Sequence, residues 1–241
     1  MRNIFLSLFL LFFFSASSQL RSQQGNFTPA TAGNRYYRDA DLPVVKDKYP
    51  KFADGTPYFL EDWIEGDIQL ATGEIFHHVK MRLDLVEQSL QYVNDKGIEV
   101  VAGSNVKSIT LNDSINGKQY KFVHSAYIGG ATTVEPGWYQ ALVSGSATFF
   151  KRTVKSIAEP RNYSSGNTEP SVTAQSEYYL YADWGLSRIK KIKEIPPLLK
   201  EKTDELEKYI ATKKLSGRSD ADYVSLIEYY NTLLEPPKKA F

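Results

Sequence analysis

Two of the three histidines in the chain, His77 and His78, are adjacent, which raises the question of a metal or catalytic site. They lie in EIFHHVKMRLDL, residues 74–85, where mostly apolar odd-numbered positions alternate with mostly polar even-numbered positions. This period of two predicts a half-buried strand, whose neighbouring side chains point to opposite faces. We therefore expect His77 to be a core residue and His78 to be solvated, with no metal ion shared between them. A β-bulge would re-aim the pair, but nothing in the sequence requires one.

Acidic residues cluster around Trp63 in LEDWIEGD: Glu61, Asp62, Glu65 and Asp67. A glycoside hydrolase needs two carboxylates that face each other across a cleft, with an aromatic side chain nearby. Carboxylates are also ordinary surface residues, and two so close in sequence seldom lie on opposite sides of a substrate. A solvated strand edge and turn is therefore our main interpretation, and a glycan hydrolase is the alternative.

Aromatic residues occur as doublets in three predicted strands, at positions 138–139, 149–150 and 178–179. In a strand, each doublet sends one ring to each face of the sheet, so one set of rings must be core. The second set either lines a groove for sugar rings, apolar ligands or a partner, or packs beneath other elements. The candidate ligand or partner surface comprises Trp138, Tyr139, Tyr179, Tyr181 and Trp184.

Several classes of chemistry have no support in the sequence. The chain has no cysteine, which excludes disulfides, thiolate metal sites and a cysteine nucleophile. It also lacks a nucleophile elbow, a phosphate-binding glycine loop, a paired-histidine zinc helix and a complete calcium-binding loop. Basic and acidic residues number 29 and 28, which gives no reason to expect nucleic acid or an anionic membrane as a partner. We therefore predict no catalytic residue, no metal ion and no cofactor.

The elements that position these residues are mainly strands. Residues 51–185 predict about eight to ten short strands, separated by turns and mostly antiparallel. Within them, residues 158–176 are rich in serine and proline and are expected to form a mobile loop. Apolar residues of helical period predict a helical hairpin over 186–236, with one helix along 195–215 and Ser219 capping the next. The predicted fold class is α+β, with a curved sheet, sandwich or half-barrel on which the helical hairpin packs.

Residues 1–18 have the layout of a secretory signal peptide, with one basic residue, an apolar run, and small residues before a cleavage site after Ser18. The apolar run is too short to span a bilayer, and no later stretch is apolar enough to do so, so we expect no transmembrane segment in the mature chain. Residues 19–50 lack apolar periodicity and are expected to be flexible or to wrap over the surface. We therefore expect an exported protein, located in the periplasm, on the outer surface or outside the cell.

Three stretches carry a resemblance to a group of proteins: YFLEDWIEGDIQLATGEIFHHVKMRLDL, GWYQALVSGSATFFKR and YYLYADWGLSRIKKIKEIPPLLKEKTDELEKYI. With the signal peptide, they resemble a layout that recurs in uncharacterised exported proteins of Bacteroidota-type envelopes, over roughly residues 55–234. The resemblance implies a periplasmic or outer-surface location and brings no catalytic residues. In such organisms, Asp113-Ser114-Ile115 matches a short signal for O-glycosylation at Ser114, and an unmodified turn is the alternative.

Our leading hypothesis is a non-enzymatic envelope protein whose β-rich domain binds a protein, a glycan or an apolar ligand. The alternatives are a hydrolase of envelope glycan that uses the acidic cluster, and a small-lipid carrier in which the sheet and the helices enclose an apolar cavity. Opposed carboxylates in an aromatic-lined cleft would favour the hydrolase, and an empty apolar interior would favour the carrier. A filled core with exposed aromatic residues would favour the binding module.

Overall fold

A single curved, unclosed sheet of ten antiparallel strands, followed by helices, forms the fold. The computed structural model describes residues 42–45, 49–103, 105–129, 134–158 and 169–234. The predicted α+β class is confirmed, in the form of one curved open sheet with C-terminal helices. The predicted signal peptide lies outside the described residues.

The strands follow the chain across most of the sheet. Their bounds are β1 Ile64–Leu70, β2 Ile75–Asp84, β3 Ser89–Val93, β4 Glu99–Val101, β5 Val106–Asp113, β6 Lys118–His124, β7 Trp138–Val143, β8 Thr148–Ala158, β9 Ser171–Ala182 and β10 Gly185–Ile189. Their order is β10-β9-β8-β7-β6-β5-β1-β2-β3-β4, so β5 returns to pair with β1 on the side opposite β2. All other neighbours in the sheet are consecutive in sequence, as the short connections between antiparallel strands allow.

The last strand, β10, was not predicted, because the β-region was expected to end near Trp184 and Gly185. Gly185 instead adopts a φ of 107°, a conformation that glycine reaches without steric cost, and the chain folds back along β9. Five residue pairs join β10 to β9, from Gly185–Ala182 to Ile189–Tyr178. The start of the predicted helical region at 186 is therefore wrong, since residues up to 189 belong to the sheet.

In the described residues, three α-helices follow the sheet: α1 Ile195–Leu198, α2 Thr203–Lys213 and α3 Asp220–Leu234. The single helix predicted over 195–215 is wrong, because a turn of 3-10 helix separates α1 from α2. The Thr203 hydroxyl donates to the carbonyls of Pro196 and Lys200 at 3.1 and 3.2 Å, and such side-chain bonds compete with regular helical hydrogen bonding. Ser219 caps α3 as predicted, since its hydroxyl accepts a hydrogen bond from the Asp222 amide at 3.3 Å. Within the described ranges, no helix combines the length and apolar character needed to cross a bilayer.

One face of the sheet, here called the inner face, carries two large hydrophobic clusters. The first is built mainly by β1 to β6, and its fully buried members include Leu70, Met81 and Ile109. The second joins β7 to β10 with the helices and includes Phe149 and Leu206, both 0% exposed. A large aliphatic or aromatic side chain buried in this way contributes about 1.5–3 kcal/mol to folding. The inner face therefore carries one packed core on β1 to β6 and a second between the helices and the adjacent parts of β7 to β10.

The chain before β1 is bound across the sheet. Residues 42–45 and 49–58, here called the N-terminal strap, belong partly to the segment predicted to be flexible or wrapped over the surface. Val44 forms a β-bridge with Val100 of β4, and Asp54 forms one with Ser171 of β9. The described part of this segment therefore wraps over the fold.

The predicted mobile loop at 158–176 is shorter than expected, because β8 extends to Ala158 and β9 begins at Ser171. Residues 159–168 lie outside the described part of the chain. Ser176, a member of the predicted loop, pairs across the two strands: its Oγ lies 3.0 Å from Thr153 Oγ1. Such cross-strand hydroxyl pairs stabilise an exposed ribbon without an apolar pattern.

Candidate functional site

His77 and His78 lie in a β-bulge of β2, where the two residues oppose the single residue Asp67 of β1. The register of the β1–β2 pair shifts between Gly66 and Ile68, and His78 adopts a left-handed backbone conformation with a φ of 56°. The side chains of His77 and His78 are 50% and 82% exposed. The prediction that His77 is a core residue is therefore wrong, because the bulge interrupts the alternation on which that prediction rested.

Each histidine contacts one residue of the acidic cluster. His77 Nδ1 lies 3.0 Å from Asp67 Oδ1, and His78 Nδ1 lies 3.8 Å from Glu65 Oε2. Glu65 and Asp67 are alternate residues of β1, so their side chains point to the same face of the sheet and do not oppose each other. In the parts of the chain that the structure describes, no group of three or more histidine, aspartate or glutamate side chains is placed to hold a metal ion.

The remaining members of the acidic cluster are also surface residues. Glu61 and Asp62 are exposed in the turn before β1. The guanidinium of Arg82 lies over the ring of Trp63, 4.5 Å from its centroid, and 3.7 Å from the ring centroid of Tyr58. The aromatic ring that a sugar would need therefore already carries a cation. This arrangement agrees with a solvated turn before β1 and offers no cleft between opposed carboxylates, but the predicted strand edge is wrong, because β1 pairs with β2 on one side and β5 on the other.

The three aromatic doublets are divided between the two faces of the sheet. Trp138, Tyr139 and Tyr179 are 4%, 0% and 8% exposed, and they belong to hydrophobic clusters on the inner and outer faces. Tyr181 packs against the cluster on the outer face, which is the face opposite the inner one and whose buried residues are Ile128, Tyr139, Phe150 and Tyr179. Burial of Trp138, Tyr139 and Tyr179 therefore corrects their assignment to a ligand surface, whereas half-buried Tyr181 stays a candidate. Trp184 differs from them, because it is 45% exposed.

Trp184 lines a cleft of about 450 Å³ between one end of the sheet and the helices. The β7–β8 turn and the β9–β10 turn, with Asp183 and Trp184, form one wall. Residues 197–201, from the end of α1 into the next turn, form the second wall, and Tyr230 and Leu234 of α3 form the third. We call this site the Trp184 cleft. Its volume lies in the range of small-molecule sites in proteins.

The backbone geometry of the turn that contains Trp184 does not favour a tryptophan. Ala182 pairs with Gly185, so the hairpin turn consists of Asp183 and Trp184 alone. Tight turns favour glycine, asparagine and aspartate, which tolerate the required dihedral angles or bond to the backbone. Asp183 fits this rule, whereas a large aromatic side chain gains nothing from it. The cleft, and not the turn, is the feature that gives Trp184 a role.

The electrostatic field of the cleft is negative. Asp183 and Glu201 carry exposed carboxylates on two different walls, and Lys200 adds one positive charge, so the charges sum to −2 + 1 = −1. Burial of Tyr230 raises its pKa, and the charges of Glu201 and Asp183 raise it further. Helix α3 ends at Leu234 with no basic residue in its last turn, so the negative end of the helix dipole adds to the field.

Asn231 fixes the β7–β8 turn against α3 and thereby holds one wall of the cleft in place. Its Oδ1 accepts a hydrogen bond from the Ala147 amide at 2.8 Å, and its Nδ2 donates to the Ala147 carbonyl at 3.0 Å. Gly145 packs on the same amide group, where an added Cβ would lie 2.5 Å from Nδ2. No sequence motif predicts this contact, because its two partners are 84 residues apart in the chain.

Ser114 lies in the exposed turn between β5 and β6. Asp113 shapes this turn by accepting hydrogen bonds from Asn116 N and Nδ2 at 3.1 and 2.8 Å, and these bonds lower the pKa of the Asp113 carboxyl. Ile115 is 83% exposed. The hydroxyl is thus placed where an enzyme could reach it, and O-glycosylation at Ser114 stays a prediction.

Comparison of the chain with protein-family models, with curated proteins and with solved structures finds no match. The resemblance to exported proteins of Bacteroidota-type envelopes therefore stays a prediction. A function has to be argued from the Trp184 cleft itself, of which the sequence had singled out Trp184 but not Asp183, Glu201 or Tyr230.

Proposed function

We propose that the chain is an exported, non-enzymatic binding protein that holds a ligand in the Trp184 cleft. One observation carries the proposal: a half-exposed tryptophan stands in a tight turn at the mouth of a cleft of about 450 Å³. A solvent-exposed indole is costly in water, and an aromatic anchor beside a pocket is the usual centre of a binding site. The other aromatic residues considered from the sequence pack within the fold.

The same cleft supports a glycan hydrolase as the second candidate, because Asp183 and Glu201 come from different walls beside an aromatic ring. Hydrolysis needs one carboxyl group that stays protonated at neutral pH, and proteins achieve this by burying it. Asp183 and Glu201 are both exposed. Binding without catalysis is therefore the better-supported activity.

A small-lipid carrier is less well supported by the packing of the inner face. Side chains of β1 to β6 fill one half of that face, and side chains of β7 to β10 with the helices fill the other. A carrier of this design would instead enclose an apolar space between the sheet and the helices. The Trp184 cleft opens at the surface, and its lining includes charged residues.

The proposal can be tested with the indole NMR signals of the three tryptophans in the chain. Addition of a fragment set that includes sugars, amines, carboxylic acids and short peptides should shift the Trp184 indole signal in a saturable way. The Trp138 signal, which reports a core residue, should stay in place. Trp184→Phe identifies the signal, and Ile115→Ala serves as a control because it changes a remote exposed apolar residue. A Trp184 signal that no fragment moves would refute the proposal.

Enzymatic activity and export need separate measurements. Release of reducing sugar from envelope glycan by the native chain, abolished in Asp183→Asn, would replace binding with hydrolysis as the function. The intact mass of the chain purified from its own source should correspond to cleavage after Ser18, and any added hexose mass should disappear in Ser114→Ala. A chain that keeps residues 1–18 would contradict export by this signal.

A further inference from the structure

The floor of the Trp184 cleft is aliphatic. Ala182 and Leu199 are 8% and 3% exposed, and Leu198 and Pro197 line the cleft beside them. None of these side chains can hydrogen-bond to the hydroxyl groups of a sugar, and an unpaired hydroxyl on such a surface costs free energy. An alkyl chain loses nothing there and gains from leaving water. The floor therefore favours an apolar chain over a glycan.

The rim of the cleft favours a cation. Asp183 and Glu201 outnumber Lys200, and the C-terminal end of α3 adds the negative end of its helix dipole. The indole of Trp184 is half-exposed, and the π face of an indole attracts a cation within about 6 Å of the ring. The charges of Glu201 and Asp183 both raise the pKa of Tyr230, whose side chain lines the cleft. The negative potential therefore acts inside the cleft and not only at its edge.

We propose that the Trp184 cleft binds a small amphiphilic cation, an alkyl chain that ends in a primary ammonium group. The alkyl chain lies along the aliphatic floor, and the ammonium group lies between Trp184 and the carboxylates of Asp183 and Glu201. This inference rests on the proposed function and names the ligand class of the same site. The cleft volume of about 450 Å³ suits a free small molecule of this kind.

The test uses three probes that share one alkyl chain: hexylammonium, hexan-1-ol and hexanoate. Each is titrated into the full chain while the indole signal of Trp184 is followed. Hexylammonium should saturate with a dissociation constant on the order of 1 mM, as expected for a ligand of so few atoms. Hexan-1-ol should bind about tenfold more weakly, since the ion pair with exposed carboxylates and the cation–π contact together contribute roughly that factor. Hexanoate should not saturate, because the negative rim repels it.

A double variant, Asp183→Asn with Glu201→Gln, separates charge from shape. It should weaken hexylammonium up to about fivefold, as expected for exposed charges, and leave the affinity for hexan-1-ol unchanged. Lys200→Gln should act in the opposite direction and strengthen hexylammonium binding. Raising the salt concentration should weaken hexylammonium in the native chain but not in the double variant, because exposed charges are screened.

The outcomes distinguish this inference from the proposed function. Equal affinities for hexylammonium and hexan-1-ol, or no effect of the double variant, would overturn the cationic ligand while the cleft remained a binding site. Saturation by N-acetyl-lysine amide without saturation by hexylammonium would overturn the free small molecule in favour of a lysine side chain from a partner. No shift of the Trp184 signal with any probe or fragment would remove the proposed function as well.

Discussion

Replacement of Asn231 by alanine should destabilise the whole fold, although Asn231 belongs to a surface helix. The side chain makes two hydrogen bonds to the backbone of Ala147, a residue with 0% exposure. Each hydrogen bond contributes about 1 kcal/mol net, and a buried backbone group left without a partner costs about 1–3 kcal/mol. The expected loss in the free energy of unfolding is therefore about 2–3 kcal/mol.

Urea denaturation measures this loss. With a slope of roughly 2 kcal/mol per molar urea, the midpoint for Asn231→Ala should fall by about 1–1.5 M while the slope stays constant. Asn112→Ala is the matched control, because it removes an asparagine whose Oδ1 accepts a hydrogen bond from Nε2 of exposed Gln119 at 2.9 Å. Its cost should stay within about 0.5 kcal/mol.

Hydrogen exchange locates the effect. The Ala147 amide should exchange slowly in the native chain and rapidly in Asn231→Ala, while amides of the distant β1–β2 hairpin keep their protection. Equal urea midpoints for the two alanine variants would refute the reasoning. A slow Ala147 amide in Asn231→Ala would show that another group supports the β7–β8 turn.

Three further predictions concern the side chains of His78, Asp222 and Lys155. His78→Val should cost about 1–2 kcal/mol, because a β-branched residue is strained at a φ of 56°, whereas His77→Val should change the urea midpoint little. Hydrogen bonds, above all the one from the Ser216 hydroxyl, lower the pKa of Asp222. The stability that the Asp222 carboxylate contributes is therefore present above pH about 4 and is lost as the pH falls through its pKa in the folded chain. The urea midpoints of the native chain and of Asp222→Asn should accordingly differ at pH 6 and converge in acid. Lys155 donates to two strap carbonyls, at 3.0 and 2.5 Å, so Lys155→Met should speed limited proteolysis within the strap, and an unchanged cleavage rate would contradict this anchoring role.

The sequence predicted the β-rich class well because strands of period two and their turns are local features. It failed where a partner strand decides the structure. In β2, the alternation from Ile75 to Leu85 is regular on paper, yet the bulge turns Ile75 to 48% exposure and brings Phe76 to the core cluster. The pairing of β1 with β2 and the register shift opposite Asp67 determine which side chains of β2 are buried. No residue type within β2 predicts this shift.

The candidate site was predictable only in part for the same reason. Trp184 is notable in the sequence, since an aromatic residue is unusual beside Gly185 in a tight turn. Glu201 and Tyr230, however, reach the cleft through the packing of the helices on the sheet. Their sequence neighbours resemble those of any solvated helix face, so only the tertiary structure brings the two carboxylates to one aromatic ring.

The N-terminal strap has a consequence for the time order of folding. It precedes the ten strands that the structure describes, yet its bridging partners, Val100 and Ser171, are synthesised after it. A chain that emerges from its N-terminus can pair Val44 once β4 exists, but it cannot dock the Asp54 part of the strap until β9 exists, so this part is made early and placed late. An exported chain would cross the membrane before this closing step, so its leading end would remain available to the export machinery until the sheet is complete.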